Sequence, residues 1–131
     1  MQNLLSFKGG FSNKKAGVTA QLMLIHFVDE NGIHIIYSPH LDLSGYGKTK
    51  DEAKQSFEDS FADFMDYTIN KKTLGEVLKQ LGWKVKGKSK RPKKVIVPSM
   101  SDILDKSYVS EIFDKYQTQT FHTPVQIPQF S

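Results

Sequence analysis

Apolar residues occupy both parities of one segment near the start of the chain. From Val18 to Val28 it reads VTAQLMLIHFV, with Leu22 and Leu24 at one parity and Met23, Ile25 and Phe27 at the other. Successive strand residues face opposite sides, so this pattern predicts a strand buried on both faces, as in the middle of a sheet. Asp29-Glu30-Asn31-Gly32 predicts a hairpin turn, with Asn31-Gly32 supplying the two positive-φ residues of a tight turn. Residues 33–38 form the returning strand. Pro39 has no N–H to donate and ends the ladder. The stretch holding Leu41, Gly45 and Gly47 reads as a loop.

The pattern then changes period. Ala53, Phe57, Phe61, Phe64, Met65 and Thr68 recur at three- and four-residue steps. They form one apolar stripe of a helix over residues 50–70, lying across the sheet. Thr49 with Glu52 makes a capping box at its start. A second box, Thr73 with Glu76, predicts a short helix over 74–81, which Gly82 ends in a left-handed conformation. A strand starts at Trp83, and Trp83 itself covers the core. Val95-Ile96-Val97 is a brief apolar run ended by Pro98. Residues 101–116 predict one or two short helices through Ile103, Leu104, Val109, Ile112 and Phe113. The tail, with alternating Val125 and Ile127, reads as an extended edge segment.

These elements predict an α+β fold: a mostly antiparallel sheet covered on one face by a long amphipathic helix. Residues 1–17 read as a polar leader or short edge strand and 18–98 as the α/β body. Residues 99–131 read as a C-terminal helix and extended tail packing on that body. The 131 residues fit one domain. A chain of this size buries a core without disulfides or metal staples. There is no cysteine, which excludes disulfides and thiolate metal sites and fits a reducing cytoplasm. No stretch approaches the ~18 apolar residues needed to span a bilayer. The expected setting is cytoplasmic, with no membrane contact.

The net charge is +4, but it is unevenly placed. Residues 84–94, KVKGKSKRPKK, hold six lysines, one arginine and no acid; the +7 there leaves −3 for everything else. The chain is a mildly acidic body with one basic segment. Lys84, Lys86, Lys88, Lys90, Arg91, Lys93 and Lys94 are candidates for neutralising nucleic-acid phosphates. Alternating lysines are equally the mark of an exposed strand face protected against stray pairing.

No catalytic constellation stands out, and no catalytic, cofactor-binding or metal-ligating residue is assigned. His26, His34, His40 and His122 lack any known metal-ligand spacing. His26 and His34 flank the hairpin turn as cross-strand neighbours. His40 with Asp42 is the one pair readable as a base with an orienting acid, and no nucleophile accompanies it. Gly45-Tyr46-Gly47 lacks phosphate-loop spacing.

The order of these pieces resembles the HicB-like antitoxin family. The matching residues are Asn31-Gly32 at the turn, Tyr37-x-Pro39-x-Leu41 leaving the strand, Gly47-x-Thr49 before the helix, Glu52-Ala53 inside it, and 74–83. The resemblance covers about half the chain. It implies a partial RNase H-like or double-stranded-RNA-binding-like fold, in which a hairpin and third strand pair with the helix. It also implies a non-enzymatic role, masking a small RNase-type toxin. Two features depart from it. No helix-turn-helix or ribbon-helix-helix follows Trp83, and Tyr46-Gly47 stands where a Gly-Cys loop end is usual. The segment 18–28 holds no acid, which argues against a working two-metal nuclease.

A toxin that holds RNA presents a basic surface. The outer face of the long helix carries Glu58, Asp59, Asp63 and Asp66, the candidate partner-binding residues. Exposed strand edges predict a homodimer. The expected function is partner masking; the alternative is nucleic-acid binding through 84–94.

Overall fold

The computed structural model describes residues 18–88 and 91–127, so the expectation for residues 1–17 lies outside the described residues. Strand β1 (Val18–Val28) pairs on one side with β2 (His34–Ser38), which pairs in turn with β3 (Leu43–Gly47). Strands β4 (Lys84–Lys88) and β5 (Arg91–Ile96) form a separate two-stranded ribbon. Strand β6 (Gln119–Ile127) returns to the other side of β1. The main sheet is antiparallel, in the order β3-β2-β1-β6. The fold is therefore α+β, with the C-terminal strand extending the sheet.

Both parities of β1 are buried, as its sequence requires. Ala20, Leu22 and Leu24 face helix α1 (Lys50–Asn70), whose stripe of Ala53, Phe57, Phe61 and Met65 is buried. Helix α2 (Leu74–Gln80) adds Leu74 and Leu78 to this core, and the ribbon adds Val95. Burying each of the two phenylalanines is worth about 1.5–3 kcal/mol. Met23, Ile25 and Phe27 face the opposite side. There α3 (Met100–Leu104) and α4 (Ser107–Lys115) cover them with Ile103 and Val109.

Helix α1 begins as its capping box predicts. Thr49 Oγ1 accepts from the Glu52 amide at 3.1 Å, and Glu52 Oε1 accepts from the Lys48 amide at 2.9 Å. The second box does not form. Thr73 has ψ near 4° and makes no side-chain cap bond. The turn between α1 and α2 is so tight that the Thr73 amide bonds back to Thr68 at 2.8 Å.

Two local expectations are corrected. The β1–β2 connection is not a two-residue turn: Gly32 has φ +81° and Asn31 is not left-handed. Asp29 builds the turn instead, its carboxylate accepting from the Asn31 and Ile33 amides. Residues 43–47, read as loop, form β3. Two glycines hid it by weakening the apolar alternation. They serve close packing: a Cβ on Gly45 would sit 2.2 Å from the Phe57 backbone nitrogen. Helix α1 therefore rests directly on the β3 backbone.

Candidate functional site

Three charged or titratable groupings stand on this frame. The first is the outer face of α1. Asp59, Asp63 and Asp66 are exposed, while Glu58 is half-buried at the flank of the helix. The structure thus brings three of the four candidate acids together and sets Glu58 aside. Gln55 donates to Asp59 Oδ1 at 3.1 Å. No lysine or arginine among the described residues closes an ion pair with any of the four. A 21-residue helix seated on a sheet holds these carboxylates in fixed array.

The second grouping is the β4–β5 ribbon. Lys84 and Lys86 are exposed and Val85 is half-buried, so the alternation has its apolar side inward. The register sets Lys86 opposite Lys94 and Lys88 opposite Arg91, with an irregularity between Lys86 and Gly87. Directly opposed like charges are destabilising in an antiparallel pair. Lys90 lies outside the described residues. For Lys88, Arg91, Lys93 and Lys94 only the backbone positions are described.

The third grouping is the histidines. His26 Nε2 and His34 Nδ1 are 2.9 Å apart, on neighbouring strands. Their ring planes agree within 13° and their centroids are 5.1 Å apart. The N···N separation plus two ring radii accounts for that whole distance, so the rings meet edge to edge rather than face to face. Which of the two nitrogens donates follows from the tautomers the rings adopt. Burial lowers the pKa of His26, and the nearby Lys50 and His34 act the same way; a hydrogen bond to Gln119 opposes them.

His40 is placed differently. Its carbonyl accepts from Trp83 Nε1 at 2.8 Å, and its Nδ1 accepts from the Met23 amide at 3.2 Å. Since Nδ1 is an acceptor, the neutral ring carries its proton on Nε2. Burial lowers its pKa to about 4, helped by His122. The β1–β2 ladder ends at Ile25 opposite Tyr37. Beyond it the chain turns at Pro39, and the His40 ring accepts from the Met23 amide.

The base-and-acid reading of His40 with Asp42 is not what the geometry builds. Asp42 accepts from the Tyr37 hydroxyl at 2.8 Å, and the His40 ring nitrogen bonds to the Met23 backbone. Burial, with hydrogen bonds to Tyr108 and Asp42, raises the Tyr37 pKa far above its usual range. Sequence reasoning missed the Tyr37–Asp42 and Trp83–His40 links. Pro39, which forces the chain to turn, was the local signal for both.

No group of three or more His, Cys, Asp or Glu side chains among the described residues is arranged to hold a metal. No helix among them is long and apolar enough to cross a membrane. A largely apolar groove of about 540 Å³ lies between the C-terminal helices and β6, lined by Met23, Met100, Leu104, Phe113, Thr120 and His122, with Asp114 also on its wall. No family model, curated protein or solved structure matches the chain.

Proposed function

We propose that this is a non-enzymatic binding protein, a HicB-like antitoxin or an orphan relative, that masks a small basic RNase-type partner. The observation that carries this reading is the row of Asp59, Asp63 and Asp66, exposed on a long helix and without an ion-pair partner among the described residues. Uncompensated acids on one face attract a complementary basic surface and speed its capture. Occlusion needs surface fit and no reacting group. The test is capture of partners from the native cell by the wild type and by Asp59→Lys/Asp63→Lys. A small basic protein held by the wild type and lost by a folded variant supports the reading. Equal capture by both sinks it.

A second reading rests on the ribbon. Opposed Lys86 and Lys94, and opposed Lys88 and Arg91, leave a cationic strip that a phosphate backbone relieves. Binding to RNA or DNA duplexes should then weaken steeply with salt and fall on replacing Lys84, Lys86 and Lys88 by Gln. Binding that ignores both changes removes the ribbon from consideration.

A further inference from the structure

The two edges of the main sheet differ. The β3 edge lies against α1: the Tyr46 amide donates to Ser56 Oγ at 3.1 Å, and Gly45 and Gly47 meet the helix directly. At the β6 edge, no further strand among the described residues lies beyond it.

Which backbone groups β6 offers there follows from two independent observations. Pro124 stands opposite Gln21 in the β1–β6 ladder. Lacking an N–H, proline fits such a ladder where the backbone groups point away from the partner strand. Met23, opposite His122, sends its own N–H away from β6 to the His40 ring. Both mark the even-numbered β6 positions as the non-hydrogen-bonded pairs with β1. Thr120, His122 and Gln126 therefore aim N–H and C=O at the edge away from β1, and Pro124 its C=O.

Proteins guard such edges with charge or proline; β6 holds no Asp, Glu, Lys or Arg, and its one guard is Pro124, toward its C-terminal half. Beside it the groove exposes Met100 and Leu104, at 47% and 42% of their surfaces. The other two prominent surfaces each carry one sign of charge, acidic on α1 and basic on the ribbon. Each of those repels its own image. The β6 edge carries no charge of its own and is flanked by charges of both signs, Asp114 in the groove and Lys50 beside Gln119 and Phe121, so a copy of this chain meets itself there with less like-charge repulsion than on either of the other two surfaces.

We propose that β6 pairs with β6 of a second copy, antiparallel about a two-fold axis. This makes one continuous sheet across a homodimer and brings the Met100 and Leu104 shelves toward the joint. The Thr120 and His122 backbone groups form the new ladder, and Pro124 limits its length. The inference is independent of the partner read for α1 or the ribbon.

The experiment is sedimentation equilibrium on the full chain, with hydrogen exchange across a concentration series. The expected result is twice the monomer mass, with the His122 amide protected only as the dimer forms. His122→Pro removes that outward N–H while leaving the ladder to β1 intact, as Pro124 already does. It should raise the dimer dissociation constant at least about tenfold without changing the far-ultraviolet spectrum. A monomeric wild type overturns the proposal. So does a dimer that survives in folded His122→Pro, or His122 protection independent of concentration. Should that variant misfold, the wild-type exchange series decides alone.

Discussion

Trp83 and His40 are joined across 43 residues by a single hydrogen bond, from the indole Nε1 to the His40 carbonyl, 2.8 Å long and buried. The rings also meet edge to face, with centroids 6.2 Å apart. The bond fastens the start of the basic ribbon to the turn between β2 and β3. That turn in turn completes β1 through the His40 ring and the Met23 amide. Trp83→Phe keeps most of the apolar volume and strands the buried carbonyl. The expected loss is about 1–3 kcal/mol, read from the denaturant midpoint, with no change in the denaturant slope.

The same pair sets a pH dependence. The unfolded chain takes up a proton on His40 near the ordinary value of 6.5, while the folded protein refuses it until about pH 4. The unfolded state thus binds more protons between those limits, so stability falls as pH drops through that window. The contribution is full above about pH 7 and level below about pH 4. Discounted for solvent that still screens part of the ring, it is on the order of 2 kcal/mol. Thermal melts of the wild type and His40→Gln from pH 7 to pH 4 check this. The variant should show the shallower dependence.

Gly45 predicts a different kind of failure. A methyl group there meets the Phe57 backbone nitrogen at 2.2 Å and the Ala53 carbonyl oxygen at 2.5 Å. Neither is the free end of a side chain, so the helix must lift off the strand. Gly45→Ala should cost about 3 kcal/mol or more, at the upper end of overpacking effects. Ala at exposed Gly32 is the contrast: nothing lies within 4 Å, and only its φ of +81° is strained. Chemical denaturation of the two variants should rank Gly45→Ala as much the worse.

The elements with a strong period were legible in the sequence. Helix α1 and strand β1 have the bounds their patterns predict, because Phe57, Phe61 and Met65 fix one period and Leu22 with Met23 fixes the other. Strand β3 was hidden because Gly45 and Gly47, which bring the helix close, carry no side chain to show an alternation. The acids of α1 were legible as a face from their spacing, but the retreat of Glu58 to the flank depends on how the helix rolls on the sheet. His40 was legible as a titratable residue after a proline. Its bond to Met23 was not, since it depends on where the β1–β2 ladder stops. The uncharged edge was written in 119–127, yet its meaning depends on β6 pairing with β1, nearly a hundred residues away.

The histidine pair offers a test with opposing signs. His26 gains from its hydrogen bond to Gln119 in the protonated form and loses from the charge of Lys50. Lys50 also donates to Gln119 Oε1 at 3.4 Å, so both effects meet at one side chain. Gln119→Leu should lower the His26 pKa further, and Lys50→Met should raise it, as read from imidazole resonances in an NMR titration. Movement of both variants in one direction would contradict the geometry.

The ribbon supplies the last prediction. Lys86 and Lys94 stand directly opposite in the β4–β5 register, a pairing that costs free energy when nothing anionic lies nearby. Lys94→Glu replaces repulsion by attraction and should stabilise the free protein by about 0.2–1 kcal/mol. Added salt should narrow the difference between the two forms, because it screens both the repulsion and the attraction. Stability of wild type and variant at low and high salt measures this. If a phosphate backbone is the natural occupant of the ribbon, the same substitution weakens nucleic-acid binding while it strengthens the fold. Opposite signs for stability and binding would mark the lysine pair as held in place for a ligand rather than for the sheet.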